Sequence, residues 1–159
     1  QAVPDLIFAM AIMTFMGKGV LNLFIALGLL TWVRTARMIR GSVIQLKEKE
    51  YIEASRACGA STYWIIMKGL VPNCLSTIIV LVTLGIPNAI MYEASLSFLG
   101  IGIQPPTPSW GNMISAAQTF ISFRPVYSIM PGVAIMITVI AFNIFGDGLR
   151  DALDPKLKN

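Results

Sequence analysis

Long uncharged runs alternate with short charged segments along most of the chain. These runs are residues 6–17, 19–33, 69–92, 94–123 and 125–146. A helix needs roughly 20 apolar residues to cross the hydrocarbon core of a bilayer, so runs of this kind indicate membrane spans. We therefore predict an all-α integral membrane protein, built as a bundle of transmembrane helices. The predicted helices cover about residues 5–17, 20–40, 74–92 and 127–147.

Glycine and proline interrupt these runs at defined places. Gly17-Lys18-Gly19 favours a tight turn between the first two helices. Pro87 lies inside the third span, where a proline removes a backbone hydrogen bond, so we expect a kink there. Residues 100–111 contain three prolines and three glycines, which no regular spanning helix tolerates. We predict an external loop over 94–126, with part of residues 111–123 on the outer membrane surface.

The beginning of the chain is typical of a truncated sequence. It starts at Gln1 rather than Met, and Pro4-Asp5 leads directly into an apolar run without the basic start of a signal peptide. The 12 uncharged residues of the first run are too few to span a bilayer. We expect that the first helix has lost its beginning and that residues 1–159 form a single, partial transmembrane domain.

Basic residues are concentrated on one side of the predicted spans, as lysine and arginine are on the cytoplasmic side of membrane proteins. Ten of the 12 would face the cytoplasm, namely Arg34, Arg37, Arg40, Lys47, Lys49, Arg56, Lys68, Arg150, Lys156 and Lys158. Only Lys18 and Arg124 would lie outside. The predicted C-terminus is therefore cytoplasmic. Arg34 and Arg37 would extend from the end of the second span toward the interface.

Composition supports a membrane protein and argues against several other classes. The chain is 55% hydrophobic and 13% charged, whereas soluble domains carry about a quarter charged residues. The net charge of +4 does not indicate nucleic-acid binding, because the basic residues flank apolar runs. With no histidine and only Cys58 and Cys74, we expect no metal site, no disulfide and no cofactor. The phosphate-binding Gly-x-x-x-x-Gly-Lys-Ser/Thr motif is absent from the sequence.

Residues 50–72 form the most informative segment, a helix, a break and a second helix on the basic side. Gly59 is placed to end the first helix in a left-handed conformation, and Ser61 to cap the second. Pro72 would stop the second helix before the membrane. Small residues give the first helix a smooth face that another protein could approach closely: Ala54, Ser55, Ala57 and Cys58. The alternative is an ordinary solvated loop.

This segment resembles the cytoplasmic signature of permeases of bacterial ATP-binding-cassette importers. That signature reads Glu-Ala-Ala, three residues, Gly, nine residues, Ile-x-Leu-Pro, and Glu53-Ala54, Gly59 and Pro72 match it. Ser55 replaces the second alanine, Gly69 the isoleucine and Val71 the leucine. In that family the paired helices are the coupling element that docks on an ATPase. The resemblance implies a cytoplasmic coupling region over 46–72, whose coupling residues are Glu53, Ala54, Ser55, Arg56, Gly59 and Pro72.

Two further stretches narrow the resemblance to dipeptide and oligopeptide permeases of the second-subunit kind. They are residues 93–112, Glu-Ala-Ser-Leu-Ser-Phe-Leu-Gly through Trp-Gly-Asn, and residues 143–155, Asn-Ile-Phe-Gly-Asp-Gly through Asp-Pro. The resemblance implies a multi-pass permease of the bacterial inner membrane that imports peptides by alternating access and is not itself an enzyme. It implies two ATP-binding subunits, a second homologous permease and an extracytoplasmic binding protein as partners.

Other readings stay open at this level. Nickel chelates or oligosaccharides are alternative substrates, because related permeases are similar in sequence. A membrane enzyme acting on lipid-linked substrates is a second class, although the spans contain no histidine and almost no acid. A nonfunctional remnant is a third. Glu93, at the outer end of a span, would either mark a transport pathway or be satisfied by nearby backbone or Arg124.

Overall fold

The computed structural model describes residues 4–153, and within this range it contains helices and turns but no strand. The helices are α1 (Asp5–Met16), α2 (Val20–Lys47), α3 (Glu50–Ala57), α4 (Thr62–Trp64), α5 (Val71–Phe98), α6 (Trp110–Ala117) and α7 (Val126–Leu153). A π-helical turn, Ile65–Leu70, joins α4 to α5, and a short 3₁₀ turn, Gln118–Phe120, follows α6.

Three helices within residues 4–153 are long and apolar enough to cross a membrane. They are Val20–Lys47, Thr62–Phe98 and Val126–Leu153, while α1 has 12 residues and is shorter than a span. The predicted all-α membrane fold is confirmed. Of the residues used to predict its orientation, Lys156 and Lys158 lie outside the described range.

The long helices extend beyond their predicted ends. Helix α2 continues past residue 40 to Lys47, and α7 continues past residue 147 to Leu153. The predictions ended these helices within charged segments, at Arg40 and at Asp147, but charge does not end a helix. Basic residues in the last turn, Lys47 in α2 and Arg150 in α7, favour the helix end electrostatically.

The prediction that Pro72 stops a helix before the membrane is wrong. The helical path runs without interruption from Thr62 to Phe98, and Pro72 is the second residue of α5. The turn before it is widened, because the Val71 N–H donates to the Ile66 carbonyl five residues back. A π-helical turn of this kind lets a helix pass a residue that has no N–H to donate.

The predicted external loop over 94–126 is partly helical. Residues 94–98 complete α5, and Trp110–Ala117 form α6, which packs against α5 and α7. The proline-rich stretch that motivated the loop ends at Pro108. Ser109 then starts α6 by accepting a hydrogen bond at its Oγ from the Asn112 N–H, at 3.1 Å.

The main core lies where α1, α2 and α5 meet. Its buried members are Ala9, Met13, Leu23, Ala26, Leu27, Leu30 and Leu96. Helix α5 also packs along α7 and α6, so it contacts every other long helix. Large apolar side chains remain exposed elsewhere, for example Phe15 at 92% and Phe123 at 85%. Exposed apolar faces of this kind are compatible with contact to lipid or to further helices.

Candidate functional site

Residues 50–70, here called the hairpin, fold as two short helical segments joined by a tight turn. The Lys49 backbone is extended and starts α3, and Glu50 and Glu53 lie in its first turn, where negative charge is favoured. Arg56 lies in the last turn, where positive charge is favoured. The charges of this sequence are thus arranged to stabilise an eight-residue helix that would be marginal alone.

The turn of the hairpin has the conformation predicted from the sequence. Gly59 has φ +80°, a left-handed conformation that glycine adopts without steric cost. The Ala60 N–H donates to the Ser55 carbonyl at 3.0 Å, and the Gly59 N–H donates to the Arg56 carbonyl at 2.9 Å. These two bonds form a Schellman motif, which satisfies the free carbonyls of α3. Ser61 accepts a bond at Oγ from the Trp64 N–H at 3.2 Å, as its predicted capping role requires.

The inner face of the hairpin is fixed by a small apolar cluster. Ile52, Ile65 and Leu70 are buried, and Val43 and Leu46 of α2 pack against them. Ile52 is only 1% exposed. This cluster fastens the hairpin to the end of α2, so its position is determined by packing as well as by the chain.

Gly69, which stands where the resembled signature has isoleucine, lies against the end of the Ile52 side chain. A Cβ placed on Gly69 would lie 2.7 Å from the Ile52 Cδ1 atom, closer than two carbon atoms approach without displacement. The absence of a side chain at residue 69 leaves the space that the Ile52 side chain occupies. The Gly69 carbonyl also accepts a hydrogen bond from Asn73 Nδ2 at 2.7 Å.

The outer face of the hairpin carries most of the predicted site residues. Glu53, Ala54, Arg56 and Gly59 are exposed, and Ser55 is half-buried. The Ser55 hydroxyl donates to the Tyr51 carbonyl at 2.7 Å, within its own helix. The structure thus brings five of the six candidate residues onto α3 and its turn. Pro72, the sixth, lies apart from them in α5.

The second arm of the hairpin exposes apolar side chains, and the charges of the outer face have no ion-pair partner among residues 4–153. Tyr63 is 73% exposed, Trp64 49% and Met67 45%. Neither Glu53 nor Arg56 forms an ion pair with any residue in the range 4–153. The hairpin therefore offers small residues and two charges on its first arm and exposed apolar side chains on its second.

A second polar group joins three helices and was missed by the sequence analysis. Asp5 Oδ2 is 3.0 Å from Arg34 Nη2 and accepts a hydrogen bond from the Tyr92 hydroxyl at 3.0 Å. These residues belong to α1, α2 and α5. Arg34 was expected only to extend toward the interface, but it pairs with an acid on a neighbouring helix. The feature of the sequence that could have indicated this group was the presence of charged residues within apolar helices.

Glu93 is held by a neighbour different from the one expected. The Ser97 hydroxyl donates to Glu93 Oε1 at 2.7 Å and accepts a bond from the Ile103 N–H at 3.0 Å. The expectation that Arg124 or backbone would satisfy Glu93 is therefore wrong. Asn112 Nδ2 donates to the Ile103 carbonyl at 2.9 Å, so the same network ties the 99–109 loop to α5 and α6.

The described part of the chain contains no set of side chains suited to binding a metal ion. Residues 4–153 contain no group of three or more His, Cys, Asp or Glu side chains placed to hold an ion. The exposed Cys58 and the buried Cys74 are both free thiols. The arrangement is suited to docking and to polar contact rather than to covalent catalysis.

Comparison with known proteins gives a consistent result over the whole chain. Residues 1–159 match the model of a family described as "Binding-protein-dependent transport system inner membrane component". The chain is 43% identical over 157 residues to the Glutathione transport system permease protein GsiD of Escherichia coli O1:K1 / APEC. The same identity is found with the GsiD proteins of Shigella flexneri serotype 5b (strain 8401) and Escherichia coli O157:H7. The alignment covers 99% of this chain and 52% of each relative, so the chain spans about half their length.

Proposed function

Because the chain belongs to the family of binding-protein-dependent transport system inner membrane components, we propose that it acts as part of the permease subunit of an ATP-driven importer. Its substrates would be small peptides, moved across the bacterial inner membrane by alternating access. The similar proteins are named as transport permeases, which favours this reading over a membrane enzyme.

Peptides are the substrate class that the comparisons support best. The three similar proteins are named for transport of glutathione, itself a small peptide, whereas none of them is named for nickel chelates or oligosaccharides. The resemblance of residues 93–112 and 143–155 to dipeptide and oligopeptide permeases points to the same class. Di- and oligopeptides are therefore the proposed cargo.

The proposed partners follow from the family. Two ATP-binding subunits would supply the energy, since the sequence lacks the phosphate-binding loop. A second, homologous permease would complete the pathway, and an extracytoplasmic binding protein would deliver the peptide. In this assembly the hairpin and the C-terminus both face the cytoplasm.

The hairpin is the proposed docking element for an ATP-binding subunit. Ala54 and Ser55 let the partner approach closely, while Glu53 and Arg56 are exposed and free of internal ion pairs among residues 4–153. Gly59 sets the angle between the two arms through its left-handed backbone. Pro72, placed at the start of α5, would contribute to the widened turn rather than to the docking face.

One observation carries the coupling proposal: the second arm of the hairpin is continuous with a membrane span. The helical path from Thr62 to Phe98 has no break between the docking region and the bundle interior. Coupled motion requires such rigid elements. The buried contact of Ile52 with Ile65 and Leu70 holds the first arm to this path, so displacement of α3 is passed to α5.

The test is peptide uptake by proteoliposomes that contain the complete importer. Glu53→Lys reverses a charge on the docking face, and Gly59→Val places a β-branched side chain at φ +80°, a strained conformation. We expect either change to lower ATP-driven uptake roughly five- to thirtyfold, the factor that one or two kcal/mol of lost docking represents. Membrane insertion should be unchanged.

Two matched variants serve as controls. Glu48→Lys makes the same charge change just outside α3, and Gly59→Asn supplies a residue that tolerates the left-handed region. Both should transport close to the wild-type rate. If the Glu53→Lys variant and the Gly59→Val variant both took up peptide at the wild-type rate, the hairpin would have no part in the coupling mechanism.

A further inference from the structure

Arg34 occupies an unusual position for a charged residue. It lies in α2, Val20–Lys47, directly after the uncharged run 19–33, at the end of the apolar part of a helix that is long enough to span a membrane. A charged side chain is disfavoured within the apolar part of a bilayer. Such residues normally face a water-filled cavity or a partner and mark substrate pathways. The groups that the Arg34 guanidinium contacts therefore bear on its role.

The ion pair with Asp5 accounts for only part of the guanidinium. One nitrogen, Nη2, contacts Asp5 Oδ2 at 3.0 Å, and no other hydrogen bond to Arg34 is formed by residues 4–153. A guanidinium has five N–H donors, so most of its donors are unused within this range. The Arg34 side chain is 61% exposed, whereas the Asp5 side chain is 18% exposed. The Asp5 carboxylate is therefore mostly buried, whereas the Arg34 guanidinium is mostly exposed.

The open side of Arg34 borders a cavity of about 230 Å³ between α2 and α5. Its other polar lining residues are Thr31, Thr35, Asn88 and Tyr92. The two threonine hydroxyls donate to carbonyls of their own helix, at 2.9 and 3.1 Å, and therefore leave their oxygens as weak acceptors. The strongest unused binding capacity in the cavity is thus the set of guanidinium donors.

These observations favour an anionic ligand group over a cationic one. Asp5 Oδ2 already accepts hydrogen bonds from Arg34 and Tyr92, and its side chain is mostly covered. An incoming ammonium group would compete with both donors. An incoming carboxylate would instead meet a guanidinium whose planar fork matches two carboxylate oxygens.

We propose that Arg34 binds the C-terminal carboxylate of the peptide as it passes through the bundle, with Asp5 holding the guanidinium in place. This inference rests on the proposed function, since it assumes that peptides are the cargo. It adds a specific contact within the permease, distinct from any selection by the external binding protein. Asp5 acts as a positioning residue, because it contacts Arg34 rather than the peptide.

The experiment compares uptake of one tripeptide as the free acid and as the C-terminal amide by the complete importer in proteoliposomes. The same binding protein is present throughout, so a change in the acid-to-amide uptake ratio between variants reports on the permease. We expect Arg34→Gln to lower that ratio by about tenfold, the factor associated with losing one charge-assisted contact. Asp5→Asn should lower it less, because Arg34 keeps its charge but loses its fixed partner.

Arg40→Gln is the matched control, since it removes the same charge from an exposed position on α2 that does not line the cavity. Its ratio should equal that of the wild type. An Arg34→Gln importer that transports both peptides less but keeps the wild-type ratio would show that Arg34 only holds helices together, and would overturn the proposal. A wild-type importer that takes up neither peptide would instead contradict the proposed function itself.

A second measurement covers the case in which Arg34→Gln fails to assemble. Thr35→Cys, made in a Cys58→Ser background, places a thiol on the cavity lining. The free-acid peptide should slow its alkylation, whereas the amide at the same concentration should not. Equal alkylation rates with both peptides would refute binding at this cavity.

Discussion

The contact between Gly69 and Ile52 allows a prediction in which the sign of a mutational effect reverses. Gly69 lies in the π-helical turn of the hairpin, and its missing side chain leaves room for the end of Ile52. In Gly69→Ala the new Cβ would lie 2.7 Å from Ile52 Cδ1. Ile52→Val removes that same Cδ1 atom. The two changes together should therefore be compatible, although each alone is unfavourable.

The expected magnitudes come from opposing terms. Overpacking a closed core costs about 1–3 kcal/mol, whereas replacing glycine by alanine in a helix gains about 0.5–1 kcal/mol. Gly69→Ala should therefore destabilise the wild type by roughly 0–2.5 kcal/mol. Ile52→Val should cost about 0.5–1.5 kcal/mol through lost burial. In the Ile52→Val background the clash is absent, so Gly69→Ala should stabilise by up to about 1 kcal/mol.

Thermal unfolding of the detergent-solubilised permease gives the necessary comparison among wild type, both single variants and the double variant. A change of 1 kcal/mol corresponds to a shift in Tm of about 2–4 °C for a protein of this size. Gly69→Ala should lower Tm in the wild type and raise it in Ile52→Val. Additive shifts, with the same sign in both backgrounds, would refute the claim that residue 69 is glycine to accommodate Ile52.

Two further predictions concern the outer loop and the orientation of the hairpin. Gly111→Ala should lower the Tm of the permease by several degrees, because its Cβ would overlap the Ala94 carbonyl of α5, which is backbone and cannot move aside. Gly132→Ala in α7 is the control and should not lower the Tm, because no atom lies within 4 Å of the added Cβ. Equal shifts in Tm for the two variants would argue against close α5–α6 packing. In permease expressed without ATPase partners, a membrane-impermeant thiol reagent should label the exposed Cys58 in inverted vesicles but not in intact spheroplasts, with Cys58→Ser as the control. Labelling from outside would place the hairpin on the wrong side of the membrane.

Features that depend on a few neighbouring residues were predicted well from the sequence. The spans follow from long apolar runs, and the turns at Gly59 and Ser61 are made by hydrogen bonds between residues no more than five positions apart. Local motifs of this kind carry their own physical cause, since the helix ends there whatever surrounds it. Such motifs can therefore be predicted from a single sequence.

Features that depend on packing between distant segments were missed. Pro72 is tolerated because the preceding turn is widened, and that turn includes Gly69, which packs against Ile52 of another helix. Asp5 and Arg34 are 29 positions apart and meet only because α1 packs beside α2. Nothing in the spacing of either residue indicates the other. Such pairs appear only once the helices are placed.

The uninterrupted helical path from Thr62 to Phe98 has a mechanical consequence for any motion of the importer. Its 37 residues correspond to a helical path of about 55 Å, nearly twice the thickness of the apolar part of a bilayer. A rotation of about 5° around one end would move the opposite end by roughly 5 Å. The far end carries Ser97, which holds the 99–109 loop. With the orientation and the function proposed above, a small displacement of the hairpin would therefore also move the external end of α5.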